Sequence, residues 1–273
     1  MFKITKKEYL TPIIVKMDIE APRIAKSAKP GQFVILKLDE KGERIPLTIC
    51  DYDRTAGTVS IVFQVVGKST TLMEKYEEGD MFMDFVGPLG MPSEFVAESI
   101  EHLKTKKILF VAGGVGTAPV YPQVKWFHEQ GVAVDVIIGS KNASTVILHE
   151  EMKAVAGEVF LCTDDGSAGQ KGFVTDRLKA LVELEGHHYD HVVAIGPMIM
   201  MKFISLLTKQ LNIQTTVSLN TLMVCGMGMC GACRVTVGEE TKFTCVDGPE
   251  FDGHLVNFDE AMRRQLMYKD QEK

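Results

Sequence analysis

Residues 107–112, KILFVA, form an almost unbroken apolar run that ends in Gly113-Gly114-Val115-Gly116-Thr117-Ala118-Pro119 and passes into a helical stretch, Val120 to Gln130. A strand apolar at nearly every position needs cover on both faces, which is the situation of a parallel sheet flanked by helices. The same grammar recurs. Val132–Ile138 is a strand, and Val159–Cys162 is another, followed by Thr163-Asp164-Asp165-Gly166-Ser167 and a helix over Val174–Leu184. The strand His191–Ile195 leads through Gly196-Pro197 into an apolar helix, Met198–Leu211, and Gln214–Leu219 is a last strand. Strand–helix alternation predicts an α/β doubly wound nucleotide-binding domain over residues 101–220. Ligands of such sheets bind beyond the strand C-termini, so the turns after Ala112, Ile138, Thr163 and Ile195 mark one mouth. The glycine turn departs from G-x-G-x-x-G, because Pro119 stands where a third glycine would. The next strand ends Gly139-Ser140-Lys141, with no acid to take a ribose 2′-hydroxyl.

Residues 1–100 read differently. Ile13–Ile19, Gln32–Leu38, Leu47–Asp51 and Thr58–Val66 are short β-branched runs separated by turn signals, which predicts a small antiparallel β-barrel. Two places break plain strand chemistry. In Arg44-Ile45-Pro46-Leu47-Thr48 a proline interrupts a strand, so this run should border something other than sheet; its arginine and threonine can meet a diphosphate and a flavin ring. In Gly67-Lys68-Ser69-Thr70-Thr71, glycine and hydroxyls precede a helix, which suits either a phosphate or an ordinary N-cap.

Cys225, Cys230, Cys233 and Cys245 fall in C-x4-C-x2-C-x11-C, separated by glycines. The first three have the spacing that holds a [2Fe–2S] cluster in plant-type ferredoxins, and the glycines let backbone N–H groups approach the sulfurs. Structural zinc and disulfides are the alternatives, the first favouring two short knuckles and the second an oxidising compartment. The N-terminus MFKITKKEYLTP has no apolar signal core, and Val192–Leu207 is interrupted and too short to span a bilayer. The chain is therefore expected to be cytoplasmic, with reduced thiols. A net charge of −6 argues against nucleic-acid or membrane binding. His187, His188 and His191 lack a ligating partner nearby, Met198, Met200 and Met201 read as core filling, Trp126 as packing, and Cys50 and Cys162 as buried small hydrophobes.

The motif order R-x-P-L-T, G-K-S-T, G-G-V-G-T-A-P, D-D-G-S, G-P-M and the terminal cysteines resembles the ferredoxin–NADP reductase superfamily. Within it the chain is similar to the branch with a C-terminal [2Fe–2S] cluster loop. That branch holds the electron-transfer subunit of dihydroorotate dehydrogenase B and the small subunit of NADH-dependent reduced ferredoxin:NADP oxidoreductase, also called sulfide dehydrogenase. The ending C-V-D-G-P-E-F-D-G-H and M-R-R-Q looks like the latter. The resemblance implies three segments: an FAD barrel (1–100), an NAD domain (101–220) and a cluster segment with tail (221–273). It implies that Arg44, Pro46, Leu47 and Thr48 line FAD and that Gly67, Ser69 and Thr70 meet its diphosphate. Gly114, Gly116, Thr117 and Pro119 would approach the NAD diphosphate, and Asp165, Gly196, Pro197 and Met198 the nicotinamide side. NAD is favoured over NADP because Lys141 stands without an arginine partner. The implied activity carries electrons from NAD(H) through FAD and the cluster to a larger flavin and [4Fe–4S] subunit, with ferredoxin as a further partner and electron bifurcation as a property of the assembly. The alternatives are the dihydroorotate dehydrogenase subunit, a stand-alone NADH-dependent flavin reductase, and a non-catalytic zinc-stabilised module.

Overall fold

The computed structural model describes residues 1–267; the remainder of the expected third segment, 268–273, lies outside the described residues. Strands β1 (Phe2–Thr11), β2 (Ile14–Glu20), β3 (Phe33–Lys37), β4 (Arg44–Asp53), β5 (Thr58–Gln64), β6 (Met81–Phe82) and β7 (Asp84–Leu89) pair in the order β6-β1-β2-β5-β4-β3-β7. All of these pairings are antiparallel. The edge strands β6 and β7 are separated in the chain by Met83 alone, whose N–H donates to the carbonyl of Lys37 at 3.0 Å. The sheet thus curls until its edges nearly meet, which hides unpaired strand edges. Met17, Ile19, Leu36, Ile61, Phe63 and Phe85 fill the interior, and α1 (Pro22–Ser27) and α2 (Lys68–Glu74) contribute Ile24, Ala25 and Met73. The barrel agrees with expectation, except that β1 was not anticipated.

A linker carrying α3 (Ile100–Leu103) leads to β8 (Ile108–Gly113), α4 (Thr117–Glu129), β9 (Asp135–Ser140), α5 (His149–Val155), β10 (Val159–Thr163), β11 (Gln170–Lys171), α6 (Val174–Glu183), β12 (His191–Ile195), α7 (Met198–Gln210) and β13 (Gln214–Ser218). The strand order is β11-β10-β9-β8-β12-β13, all parallel. The chain moves outward from β8 through β9 and β10, then returns to the other side of β8, so the topological switch lies between β8 and β12. Residue alternation explains the unbroken apolar run. Leu109 and Val111 face a core shared with Leu178 of α6 and Ile204 of α7. Ile108, Phe110 and Ala112 face the opposite core, with Val120 and Phe127 of α4 and Met152 of α5.

Beyond β13 the chain forms a long loop, a hairpin of β14 (Arg234–Val237) and β15 (Glu240–Phe243), α8 (Thr244–Asp247), β16 (Glu250–Asp252) and α9 (Phe258–Gln265). This segment does not stand apart. β16 adds antiparallel to β13 as a seventh strand of the α/β sheet, and Phe258 and Ala261 of α9 join its core.

Candidate functional site

At the switch point, β8 and β12 end in glycines that touch. A Cβ on Gly196 would lie 3.0 Å from the Cα of Gly113, and one on Gly116 would lie 2.3 Å from the carbonyl oxygen of Ile195. The turn therefore closes down on β12 with no room for a side chain, while Gly114, at φ +55°, faces open space. Thr117 is 1% exposed and its hydroxyl donates to the Gly114 carbonyl at 2.9 Å. It locks the turn from below instead of facing the mouth. Pro119 sits in the first turn of α4, where its missing N–H costs no helical bond.

β4 changes partner midway. Arg44–Thr48 pairs with β3, and the pairing with β5 begins only at Ile49. The β5-side edge of Arg44–Thr48 is left open, which matches the reading that this run borders something other than sheet. Across from it, Gly67 caps α2, and a Cβ there would meet nothing within 4 Å. Ser69 donates to Glu43 at 2.6 Å, so the two motifs separated in sequence form the two lips of one slot. Thr70 is occupied otherwise: its hydroxyl accepts the N–H groups of Val66 and Gly67, both at 3.0 Å, as a helix cap.

The cysteines arrive as two pairs. Cys233 and Cys245 are buried with sulfurs 3.3 Å apart, and Cys225 and Cys230 lie nearer the surface. Among the described residues no three ligating side chains converge on one point, whereas a two-iron cluster takes two thiolates per iron. The chemistry of the donors fits such a cluster. Desolvation works against ionisation of Cys225, but the N–H groups of Met227, Cys230 and Met229 and the Cys230 thiol bring it down to about 6. Burial and the adjacent Cys233 push Cys245 up to about 12, against the N–H of Gly228, which donates to its sulfur at 3.2 Å. Two touching thiols cannot both ionise without a cation to share. Gly228, at φ +77°, supplies that N–H through a conformation other residues rarely adopt.

The cluster loop leans on the barrel. Phe33 and Ile35 of β3 pack with Leu89, Met223, Cys233, Cys245 and Phe243. A Cβ on Gly226 would lie 2.7 Å from Ile35 Cδ1. Phe33 and Ile35 are also the cross-strand partners of Thr48 and Pro46. β3, the strand paired with this part of β4, therefore carries the side chains that pack with the buried thiol pair. The tail straps the loop from the other side: Arg264 donates to the Ala232 carbonyl at 2.9 Å and Gln265 to that of Asn220 at 2.6 Å.

Beyond Thr70 and Thr117, two further expectations need correction. Met198 is 5% exposed and packed in the core beneath α7, so its side chain does not line the mouth; it begins a helix whose opening turn needs an apolar anchor. Asp165 lies beyond β10, three strand spacings or about 14 Å from β12. It is not beside Gly196 and Pro197. Its N–H donates to the carbonyl of Lys141 at 3.4 Å, and that of Asp164 to Ser140 at 3.0 Å, placing the acid at the end of β9. Ser167 holds the exposed carboxylate through its N–H and hydroxyl, at 2.9 and 2.6 Å, which lowers its pKa. The remaining polar readings are structural. Burial pushes Cys50 up to about 12 and Cys162 up to about 11, and His191 is buried and neutral, bonded to Thr216 at 2.8 Å.

Residues 110–206 match the oxidoreductase NAD-binding domain family, and residues 220–257 match the iron-sulfur cluster binding domain of dihydroorotate dehydrogenase B. The chain is 44% identical over 271 residues to the dihydroorotate dehydrogenase B (NAD(+)) electron transfer subunit homolog of Thermotoga maritima, covering 99% of this chain and 93% of that one. This chain belongs to the dihydroorotate dehydrogenase B electron-transfer subunit family. Within the family it is 65% identical over 272 residues to an uncharacterized protein in the adh 3′ region of Clostridium beijerinckii, covering 100% and 92% of the two chains. A chain in the structure of the NADH-dependent reduced ferredoxin–NADP oxidoreductase superposes with a TM-score of 0.91 at 41% identity, covering 100% of this chain and 95% of that one. Residues 220–257, which contain all four of these cysteines, are thus an iron–sulfur cluster binding domain, and the zinc and disulfide alternatives fall away. No helix among the described residues is long and apolar enough to cross a membrane.

Proposed function

We propose that this electron-transfer subunit works on the NAD(H) side of a larger flavin- and iron–sulfur-containing oxidoreductase. The observation that carries the reading is the packing of Phe33 and Ile35, which back the open edge of β4 on one side and touch the buried cluster thiols on the other. Arg44, Pro46, Leu47 and Thr48 would line FAD, with its diphosphate toward Gly67 and Ser69. Cys225, Cys230, Cys233 and Cys245 would hold a [2Fe–2S] cluster. When bound, FAD supplies the conversion of a two-electron hydride into single electrons, and the cluster supplies one-electron transfer. Everything else is orientation by this chain. Gly113, Gly116 and Gly196 bring the ends of β8 and β12 together, so that NAD(H) lies across the switch point with its diphosphate at Gly114 and Gly116 and its nicotinamide toward Gly196 and Pro197. Phe33, Ile35 and Leu89 keep water out of the space between the slot and the thiols. The N–H groups of Met227 and Gly228 donate to ligand sulfurs and favour extra negative charge there. No general base or nucleophile is needed.

Asp165 takes the place of the acid missing from β9 and reads the adenosine ribose, which favours NAD over NADP. Val224, Met227 and Met229, exposed at 46, 59 and 81%, surround the outer thiol pair and form the apolar face for the partner. The partner is a larger flavin and [4Fe–4S] subunit, as in a ferredoxin:NADP oxidoreductase. The structural match that covers this chain in full, tail included, supports this choice. The dihydroorotate dehydrogenase reading is the second, supported by the family of the cluster domain. Anaerobic co-purification tests both. Recovery of a flavin and [4Fe–4S] subunit supports the first and a barrel-type FMN enzyme the second. A colourless chain without flavin or iron absorbance refutes both.

A further inference from the structure

Five buried side-chain polar atoms have no hydrogen-bond partner among the described residues, and three of them belong to neighbouring side chains: Ser93 Oγ, Gln123 Oε1 and Glu250 Oε2. The three come from separate parts of the molecule. Ser93 is in the linker after the barrel and its N–H donates to the Pro30 carbonyl at 2.9 Å. Gln123 is on α4, 1% exposed, and its amide donates to Glu250 Oε1 at 2.7 Å. Glu250 is the first residue of β16, paired with Ser218 of β13. Gly31, at the barrel's turn, presses on the same oxygen: a Cβ there would lie 3.1 Å from Glu250 Oε1. The barrel, linker, α/β domain and cluster tail therefore meet at one carboxyl.

Among the described residues, the groups shown against this carboxyl include no cation. α4 presents the Gln123 amide, the linker presents the Ser93 hydroxyl and the Glu94 carboxylate, β13 presents Ser218, and the Gly31 turn presents backbone. Glu94 repels a charge on Glu250 and is itself tied to Thr216, which donates to it at 2.7 Å, and to His191 beyond. On the same strand as Glu250 the nearest ionisable group is Asp252, also acidic. Burial is the chief reason that Glu250 rises to about 7, with Glu94 adding to it and the nearby Ser93 hydroxyl and the Gln123 bond opposing it. A carboxylate enclosed without a counter-ion is strongly disfavoured. The three unpartnered atoms have the complement one water needs while Glu250 is protonated: Ser93 Oγ and the Glu250 Oε2 hydroxyl can donate to it, and Gln123 Oε1 can accept from it.

We propose that Ser93, Gln123 and Glu250 form an internal site for one water and one proton, which holds the cluster tail against the barrel and the α/β domain while the proton is present. This stands on the fold alone, whichever partner the chain serves. Deprotonation places an unpaired charge in the seam and loosens the pairing of β16 with β13.

Infrared difference spectra of the full holo-chain between pH 5.5 and 9, together with amide exchange corrected for intrinsic rate, test it. The wild type should show a protonated-carboxyl band that titrates near neutrality and is absent in Glu250→Gln. Exchange at the Thr216–Ser218 and Glu250–Asp252 pair should accelerate through the same titration in the wild type and stay slow in Glu250→Gln. Should Glu250→Gln fail to fold, Ser93→Ala decides: removing a hydroxyl that favours the charged form should move the band's midpoint upward. A titrating band unchanged by these substitutions, no such band, or wild-type exchange independent of pH across the pair would overturn the proposal.

Discussion

Substituting Gly116 by alanine separates two ideas about the glycine turn. Gly116 has φ −59° and ψ −13°, ordinary right-handed values that alanine adopts freely. If backbone freedom were the reason for glycine, Gly116→Ala would stabilise the protein by about 0.4–1 kcal/mol through a less flexible unfolded chain. The structure predicts the opposite sign. The new Cβ would sit 2.3 Å from the Ile195 carbonyl oxygen and 2.8 Å from the Gly196 Cα, all main chain, so no rotamer change relieves it. The turn must retreat from β12 by about 1 Å, and such overpacking costs about 1–3 kcal/mol. Calorimetry should find the melting temperature lowered by roughly 2–4 °C per kcal/mol. Titration with NAD+ should find binding weakened by up to about 100-fold, since the displaced turn carries the diphosphate contacts. Gly114→Ala is the control: its Cβ meets open space, so only the cost of φ +55° remains and the β8–β12 contact is kept. Wild-type stability and NAD+ affinity in Gly116→Ala would refute the steric account.

Replacing Cys233 or Cys245 by serine removes one of the buried thiol pair; iron content and the cluster's visible absorbance should collapse, while NADH-dependent reduction of ferricyanide at the flavin level persists. Asp165→Asn should weaken NAD+ binding by about 10-fold, the effect of losing roughly 1.4 kcal/mol of charged hydrogen bonding, and leave NADP+ unchanged or tighter; equal loss for both nucleotides would argue against the ribose assignment. Gly226→Ala forces a side chain at φ +73° into Ile35 and Leu89, and rapid mixing should show slower arrival of electrons at the cluster with unchanged NADH binding. For Glu250 the folded pKa lies above the unfolded value of 4.5, so the folded state binds the extra proton. Its contribution should be full below about pH 4.5, decline as pH rises to about 7 and be absent above that, amounting to about 3 kcal/mol at most. Urea melts of wild type minus Glu250→Gln across that range measure it.

How much could be read from residues alone follows from where the causes lie. β8, β9 and β12 are apolar at nearly every position because both their faces are covered, and the cysteine spacing is legible because cluster ligands are set by local chain length. β1 escaped notice because only Ile4 and Thr11 of its ten residues are buried, so it carries almost no pattern. β16, Glu-Phe-Asp, is a strand only because β13 offers an edge to pair with. The misplacement of Asp165 has a similar origin. Strand–helix alternation predicts a parallel sheet but not the order of its strands, and the order decides which end of a dinucleotide each loop meets. The meeting of Ser93, Gln123 and Glu250 had no local signal, since 30 to 157 residues separate its members.

The strap formed by β16 and α9 also bears on how the subunit is put together. The last cluster ligand, Cys245, is followed within five residues by the strand that completes the α/β sheet, and the loop before it leans on β3. Every surface that shapes the thiol pocket comes from sequence made earlier. During synthesis the barrel and the parallel strands are already available when Cys245 emerges, and only the tail can then shut over the loop. Cluster loading and tail docking are therefore late steps of maturation, and a chain waiting for iron would differ from the finished one mainly in the segment from Cys245 through α9.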